Sequence, residues 1–527
     1  MPLKLSSQLQ QASLRDPRLL LFNHGIERES LRVTPDAQLA TTPHPAFFGG
    51  KLTHPKVTTD FSESQLELIT PVHKSPATAL NELDEVHRYV YAGLKNELLW
   101  SASMPCVLGA DRDIPLAYFG ESNLGQLKKT YRSGLGYRYG RGMQTICAVH
   151  YNFSFPDCFL TWLKAAEASN ETDSNFKNRR YFDLMRNFRR YSWLLTYLFG
   201  AAPAVDNSFL TGKEHSLHPF DESTIFLPDA TSLRSSSLGY QSNTQSESIS
   251  ICYNGLDKYV SSLATAICTE HPAYKRIGLK VNQQYMQVNT NILQSEAEFY
   301  SSVRAKRVPD KGENFLASLQ KRGIQYIEVR LLDVNPYLPL GIDEQQIKFL
   351  NSFLLFCLLS DSPKHDDQHC RELNENSTAT IYRGRRGELL LKNQGKSISL
   401  RKWGSSLLED IREIAEIIDT GSSLSHQNSV AAQTAKIADP ALTPSGLILK
   451  NMRENQLSFT KFALNKAIDH QRYFASTPLT AELRSKYQAI AQQSAEDQAI
   501  MEDSDTLTFD EYLQNVSKKY KPLSEDS

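Results

Sequence analysis

Several short runs of this chain alternate an apolar face with an ionisable one at a spacing of two residues, and that alternation limits what the chain can become. In IERESLRV, residues 26–33, a strand puts Glu27 and Glu29 on one face with a single residue between them. In QTICAVHYNFSF, residues 144–155, the odd positions Cys147, Val149, Tyr151, Phe153 and Phe155 are apolar, while Gln144, His150, Asn152 and Ser154 fall on the even face. In IQYIEVRLLDV, residues 324–334, Ile327, Val329 and Leu331 face one way and Tyr326, Glu328 and Arg330 the other. TTDFSESQLELIT, residues 58–70, supplies Asp60 and Glu67, and YMQVNTNIL, residues 285–293, carries Gln287, Asn289 and Asn291 on its odd face. Each run reads as a strand with a core face and a chemical face.

One strand of alternating charge is an ordinary solvated surface. Five together predict a polar cleft, because interior strands seldom carry Glu, His, Asn and Arg opposite a core unless those groups line one. Adjacent carboxylates repel, and a concave site keeps such a pair when cations sit between them. Carboxylates dominate this donor set, with one imidazole and no thiolate, which suits Mg²⁺ or Mn²⁺ better than zinc. Magnesium held by few carboxylates leaves room for water and phosphate oxygens, which points to nucleotide chemistry.

The balance of 58 basic and 59 acidic residues argues against a partner that binds a basic face, so neither nucleic acid nor a membrane surface is expected. The N-terminal segment lacks the apolar stretch of a secretory signal, and the longest apolar candidate, SWLLTYLFGAAPAV, is short and contains Pro203. A cytoplasmic protein acting on small molecules, and a monomer, is the expectation. Seven cysteines without a CxxC pair indicate neither a zinc knuckle nor a disulfide framework.

The length of 527 residues suits two or three domains, or one large domain with a helical attachment. We expect an α+β core over residues 1–360, built on a mostly antiparallel sheet surrounded by helices, and a mainly helical part over 361–527. Ser75-Pro76 opens a helix with Leu80, Leu83, Val86, Val90 and Leu94 on one face. Other helices are expected over 177–199, 254–269 and 342–359, after Thr477-Pro478, and from the capping box Thr508-x-x-Glu511. The polar stretches 234–250, 361–378 and 419–435 read as loops, as does GLGYRYGRG, whose glycines precede a strand and so make no dinucleotide-binding turn. There is no GxxxxGK[ST] and no GxSxG.

The strings GIERESLRV, LTHPKVTTDFSESQLELITP, SMPC, YRYGRGMQTICAVHYNFSFP, YLFGAAPA, ATSLRSSSLGY and GIQYIEVRLLDVNPY, in this order between about residues 20 and 355, resemble the proteobacterial glutamate-cysteine ligases. The resemblance implies a curved sheet of the glutamine synthetase and guanidino kinase type, with ATP and divalent metal on its concave face. It implies that Glu29, Asp60 and Glu67 hold one Mg²⁺ and Glu27, His150 and Glu328 a second, with a third between Glu27 and Glu328. Glu67 and Glu328 thereby join Arg330, which would stabilise the phosphoryl oxygens, as catalytic groups. The amine pocket is implied for Phe61, Tyr131, Leu135, Gln144, Arg234, Tyr240 and Tyr300, and contacts to glutamate or phosphate for Arg132 and Asn152.

The implied reaction is ATP-dependent: the γ-carboxylate of glutamate takes the γ-phosphoryl group of ATP, and the amine of cysteine displaces phosphate to give γ-glutamylcysteine, the first step of glutathione synthesis. No second ligase-like segment is visible, so completing glutathione is expected to fall to another enzyme. A ligase of the same fold using another amine is the nearest alternative. A sensor on a degenerate scaffold should have lost a metal carboxylate, and here all five are present. Cys147 stands where the family has a small hydroxyl residue, on the expected core face.

Overall fold

The computed structural model describes residues 5–239, 249–310, 312–419 and 423–524. The strands of its main sheet, β1 to β7 in chain order, are Asn23–Val33, Val57–Thr59, Gln65–Ile69, Leu98–Leu99, Val149–Ser154, Val303–Lys306 and Tyr326–Leu332. They run in the order β6-β7-β5-β1-β3-β2, every pair antiparallel, with β4 on the end of β1. Among the helices are α1 (Pro76–Gly93), α2 (Asn123–Tyr139), α3 (Asp173–Phe199), α4 (Glu344–Leu359), α5 (Ala481–Asp503) and α6 (Phe509–Lys518). Two-residue periodicity in the runs around Glu27, Glu67, His150 and Glu328 thus becomes one mixed helix and antiparallel-sheet architecture.

Capping residues fix where these helices begin. The side chain of Ser122 accepts from Gly125 N, Thr172 from Asn175 N and Asp343 from Gln346 N, each satisfying a first-turn amide. Thr508 and Glu511 form the expected reciprocal box. Ser75 precedes α1 without a side-chain cap bond.

The apolar face of β5 packs inward as expected: Cys147, Val149, Tyr151, Phe153 and Phe155 are all buried. The Tyr151 hydroxyl donates to Asn351 Oδ1 on α4 at 2.8 Å, and α4 in turn meets α3 through the edge-on rings of Phe188 and Phe353. Each such side chain withdrawn from water contributes about 1.5–3 kcal/mol. The rear face of β1 is not apolar throughout. Arg28 and Arg32 are buried there, Arg28 donating to the Glu29 and Trp100 carbonyls and Arg32 to Thr42 and Glu97.

Four expectations are corrected. Stretches 361–378 and 419–435 contain the helices Asp367–Arg383 and Ser425–Ala438. Most of GLGYRYGRG lies within α2, which ends at Tyr139 where Gly140 takes the left-handed φ of +85°. YMQVNTNIL is not a cleft strand: its Tyr285, with Gln284 before it, pairs with Lys280–Val281, Asn291 bridges to Glu270, and Gln287 is buried with its amide on the Tyr274 and Gly278 carbonyls. Stretch 234–250 begins in a short 3₁₀ turn, Leu233–Ser235, and Tyr240 lies outside the described residues.

Candidate active site

Register brings the chemical faces together. Glu27 lies opposite His150, Glu29 opposite Glu67, Glu328 opposite Asn152 and Arg304 opposite Glu328, so one row of ionisable groups crosses β6, β7, β5, β1 and β3. Above it opens a cleft of about 570 Å³, lined by all six of Glu27, Glu29, Asp60, Glu67, His150 and Glu328.

The carboxylates divide into two groups with opposite electrostatics. Glu27, His150 and Glu328 each offer a ligand atom, all within 4.8 Å of one another. His150 Nδ1 lies 3.3 Å from Glu27 Oε2 and 4.0 Å from Glu328 Oε1. Asn152 Nδ2 donates to Glu27 Oε1 at 2.8 Å, and Lys306 Nζ and Arg330 Nη1 stand 3.6 and 3.1 Å from the Glu328 oxygens. Burial alone would raise Glu328, but Lys306, Arg330 and His150 outweigh it and hold its carboxyl well below the usual range. Burial, then the Arg330 charge, pushes the His150 imidazole down, which keeps it in the neutral form that ligates metals. Glu328 Oε2 is buried and accepts no hydrogen bond among the described residues.

The second group lacks that compensation. Burial, with Asp60 and Glu67 beside it, pushes Glu29 well above the carboxylate range. Burial, Glu27 and Asp60 push Glu67 up to about 8. One Glu29 oxygen accepts from Ala148 N at 2.8 Å, and the other stands 3.5 Å from His150 Nε2, so the imidazole joins the two groups. Among the described residues Glu29, Asp60 and Glu67 do not reach the mutual spacing of the first group. Arg330 and Arg234 near Glu29, and Lys128 and Arg132 near Glu67, offset burial and mutual repulsion only in part, and a divalent cation is a group that would offset the rest.

Proton linkage makes this testable. In the ion-free protein Glu67 titrates near pH 8, whereas an unfolded Glu titrates near pH 4.3, so between these values the folded state holds the extra proton and its stability falls as pH rises. A cation must displace that proton. Mg²⁺ binding at neutral pH is therefore expected to release protons, read as calorimetric heats that scale with the ionisation enthalpy of the buffer. Heats independent of the buffer would show these carboxylates already ionised.

Phe61, Tyr131, Arg132, Leu135, Gln144, Tyr300 and Arg330 line the cleft. Gln144 Nε2 donates to the Tyr300 hydroxyl at 2.8 Å, and Arg132 Nε donates to the Asp60 carbonyl. Burial pushes the Tyr131 and Tyr300 phenols up, so both stay hydroxyl donors at neutral pH. Arg234 lies instead in an adjoining cavity of about 200 Å³ that shares Tyr300 and Arg330 with the cleft. It donates to the Arg330 carbonyl at 2.7 Å and stands 3.6 Å from Asp333. Asn152 acts on Glu27 from outside the lining.

Three cations escaped the sequence reading. Arg304 and Lys306 alternate along β6 and face Glu328; their two-residue period was a usable signal, but the strand has only four residues. Lys128 lines the cleft from α2, its ammonium 5.0 Å from the Phe119 ring centroid, and burial with Arg132 pushes it down to about 8. Leu124, Leu127, Lys128, Tyr131, Arg132 and Leu135 make a helical stripe, visible once Asn123–Tyr139 is read as one helix.

The sequence profile of the glutamate-cysteine ligase family matches residues 7–380. Glutamate-cysteine ligase of Pseudomonas fluorescens is 48% identical over 492 residues, spanning 93% of this chain and 92% of that protein. The corresponding enzyme of Alcanivorax borkumensis is 46% identical over 502 residues, 93% and 95% of the two chains. The structure of glutamate-cysteine ligase from Francisella tularensis in complex with AMP superposes with a TM-score of 0.89 at 35% identity, covering 95% of this chain and 98% of that one. A bifunctional glutathione synthetase from Pasteurella multocida gives 0.73 at 26% identity, over 92% of this chain and 58% of its own. With a family profile over most of its length and relatives that match it nearly end to end, this chain belongs to the glutamate-cysteine ligase family.

Proposed function

We propose that this chain joins the γ-carboxylate of L-glutamate to the amine of L-cysteine through γ-glutamyl phosphate, releasing ADP and phosphate, as the first step of glutathione synthesis. The observation that carries the reading is the divided row of carboxylates, one group balanced by Lys306 and Arg330 and the other unbalanced, within one cleft. AMP in the complex of the Francisella tularensis relative supports nucleotide use by this chain.

In this reading Glu29, Asp60 and Glu67 hold one Mg²⁺ and Glu27, His150 and Glu328 another, with Mn²⁺ able to replace it. When bound, the ions lower the repulsion between a carboxylate and a triphosphate and offset charge on the phosphoryl group in transfer. Arg330 presents a guanidinium to the phosphoryl oxygens. The γ-carboxylate oxygen bonds to the γ-phosphorus as ADP leaves; the amine then bonds to the acyl carbon as phosphate leaves, and a carboxylate of the row takes the amine proton.

Phe61 and Leu135 suit the thiol methylene of cysteine, while Tyr131, Gln144, Tyr300 and Arg234 supply polar partners. Arg132 and Asn152 face glutamate or phosphate. The sheet would curve about these ligands as in glutamine synthetase, forming with residues 1–360 the catalytic core on which 361–527 pack. Among the described residues no helix is long and apolar enough to cross a membrane; a cytoplasmic setting is proposed. The chain is proposed to act as a monomer.

The test is phosphate release from ATP with Mg²⁺, glutamate and each of a panel of amino acids. Cysteine should give the highest kcat/KM, and 2-aminobutyrate should also react within about 10–200-fold, because a pocket separates side chains differing by one small group by only about 1–3 kcal/mol. Turnover indifferent to cysteine would remove the assignment.

A further inference from the structure

The outer wall of the cleft is built by the far C-terminal part of the chain. Val516 on α6 and Tyr520 just beyond it line the cleft beside Leu124, Leu127 and Tyr131 of α2. This segment is tied down on several sides. Asp510 receives Lys280 Nζ at 2.8 Å and the Tyr285 hydroxyl at 2.6 Å, while Lys519 Nζ donates to the Gly312 carbonyl at 2.9 Å. At the start of α2, Asn123 Nδ2 donates to the Leu507 carbonyl, also at 2.9 Å.

Tyr520 is buried, and its hydroxyl donates to Glu296 Oε2 at 2.7 Å. Glu296 opens the single 3₁₀ turn Glu296–Glu298, which is followed by Phe299 and Tyr300. From its other side this turn is fixed by Glu298, which accepts from Arg138 Nη1 at 2.9 Å and the Tyr139 hydroxyl at 2.8 Å. Tyr300 therefore enters the cleft from a segment clamped by α2 behind and by the C-terminal wall in front. A hydroxyl on a rigid ring, bonded to a carboxylate, is well suited to fixing such a turn.

We propose that Tyr520 is a positioning residue for the amine substrate, acting through Glu296 to hold Tyr300 in the pocket. The proposal rests on reading Tyr300 as part of the amine pocket. It gives the C-terminal segment a role in the chemistry that none of its own sequence motifs announces.

The test uses the full-length chain carrying Tyr520→Phe, Tyr520→Ala, Glu296→Gln, the Tyr520→Phe/Glu296→Gln pair, and Tyr300→Phe as reference. KM is measured for cysteine and for ATP separately. Loss of one hydrogen bond to a charged acceptor should raise KM for cysteine roughly 3- to 10-fold in Tyr520→Phe, beyond any change in KM for ATP. Glu296→Gln should do likewise, and the pair should add little to either single change. If Tyr300→Phe raises KM for cysteine and Tyr520→Phe does not, the C-terminal wall is passive and the proposal is overturned. If Tyr300→Phe leaves that KM unchanged, the pocket reading falls first and this inference with it. Parallel rises in both KM values, with a lowered melting temperature, would make Tyr520 a structural residue only. Tyr520→Phe keeps the ring, so the test stands even where Tyr520→Ala does not fold.

Discussion

Glu328→Gln is expected to lower kcat/KM for phosphate release by roughly 10²–10³, the scale set by deleting one preorganised charged group at a reacting centre. The substitution keeps the size of the side chain and the backbone pairing of β7 with β5 and β6, so folding should be nearly unaffected. What it removes is the charge that meets Lys306 at 3.6 Å and Arg330 at 3.1 Å, leaving a neutral amide among the three ligand groups gathered with Glu27 and His150. Rates measured across a Mg²⁺ titration separate the two losses. A deficit partly recovered at high Mg²⁺ reports a weakened ion site, and one that persists reports a misplaced Arg330. A variant with the rate of the unmodified chain would show that Glu328 does neither.

The second large effect is on stability. Arg138 and Glu298 form an ion pair 2.9 Å apart in which both side chains are wholly excluded from solvent. Arg138 also donates to Gln287 Oε1 at 3.0 and 2.9 Å and to the Asn289 carbonyl at 2.7 Å, and it stacks on Tyr274 with 4.1 Å to the ring centroid. Arg138→Met leaves the Glu298 charge buried without its partner, and removing one member of such a pair costs about 3–5 kcal/mol. Urea unfolding should show that loss as a lower midpoint. Adding Glu298→Gln should recover part of it, since the residual penalty belongs to the stranded carboxylate. A midpoint within error of the unmodified chain would mean that water reaches this pair.

The same pair explains where the sequence reading went astray. Gln287 and Asn289 alternate like the residues of a cleft strand, yet they serve Arg138 with an amide oxygen and a backbone carbonyl. Two-residue spacing cannot tell a ligand from the lining of a buried guanidinium. Where alternation is backed by a long apolar face, as with Tyr151, Phe153 and Phe155, it located strand and chemical face alike. The helices at Asp367–Arg383 and Ser425–Ala438 were illegible for another reason: the residues they bury include Asn376, Thr380, Ser429 and Gln433, which leave no apolar stripe. Expected spans such as 177–199 and 342–359 came within a few residues of α3 and α4 because those helices bury long aromatic and aliphatic faces. Lys128 was lost with the helix that carries it, and Tyr520 because a single tyrosine shows its role only through its neighbours.

Strand β1 carries ionisable groups of opposite type on its two sides, Glu27 and Glu29 toward the cleft and Arg28 and Arg32 sealed behind it. A strand whose sides differ only in oiliness can slip by one residue at the cost of exposing a few methyl groups. Here the same slip would turn guanidinium groups toward Lys306 and Arg330 and drive carboxylates into the space now filled by arginine, stranding unpaired charge on both sides at once. Charge therefore bars the one-residue slip of β1 against β3 and β5, and the observed alignment sets Glu27 beside His150 and Glu29 beside Glu67.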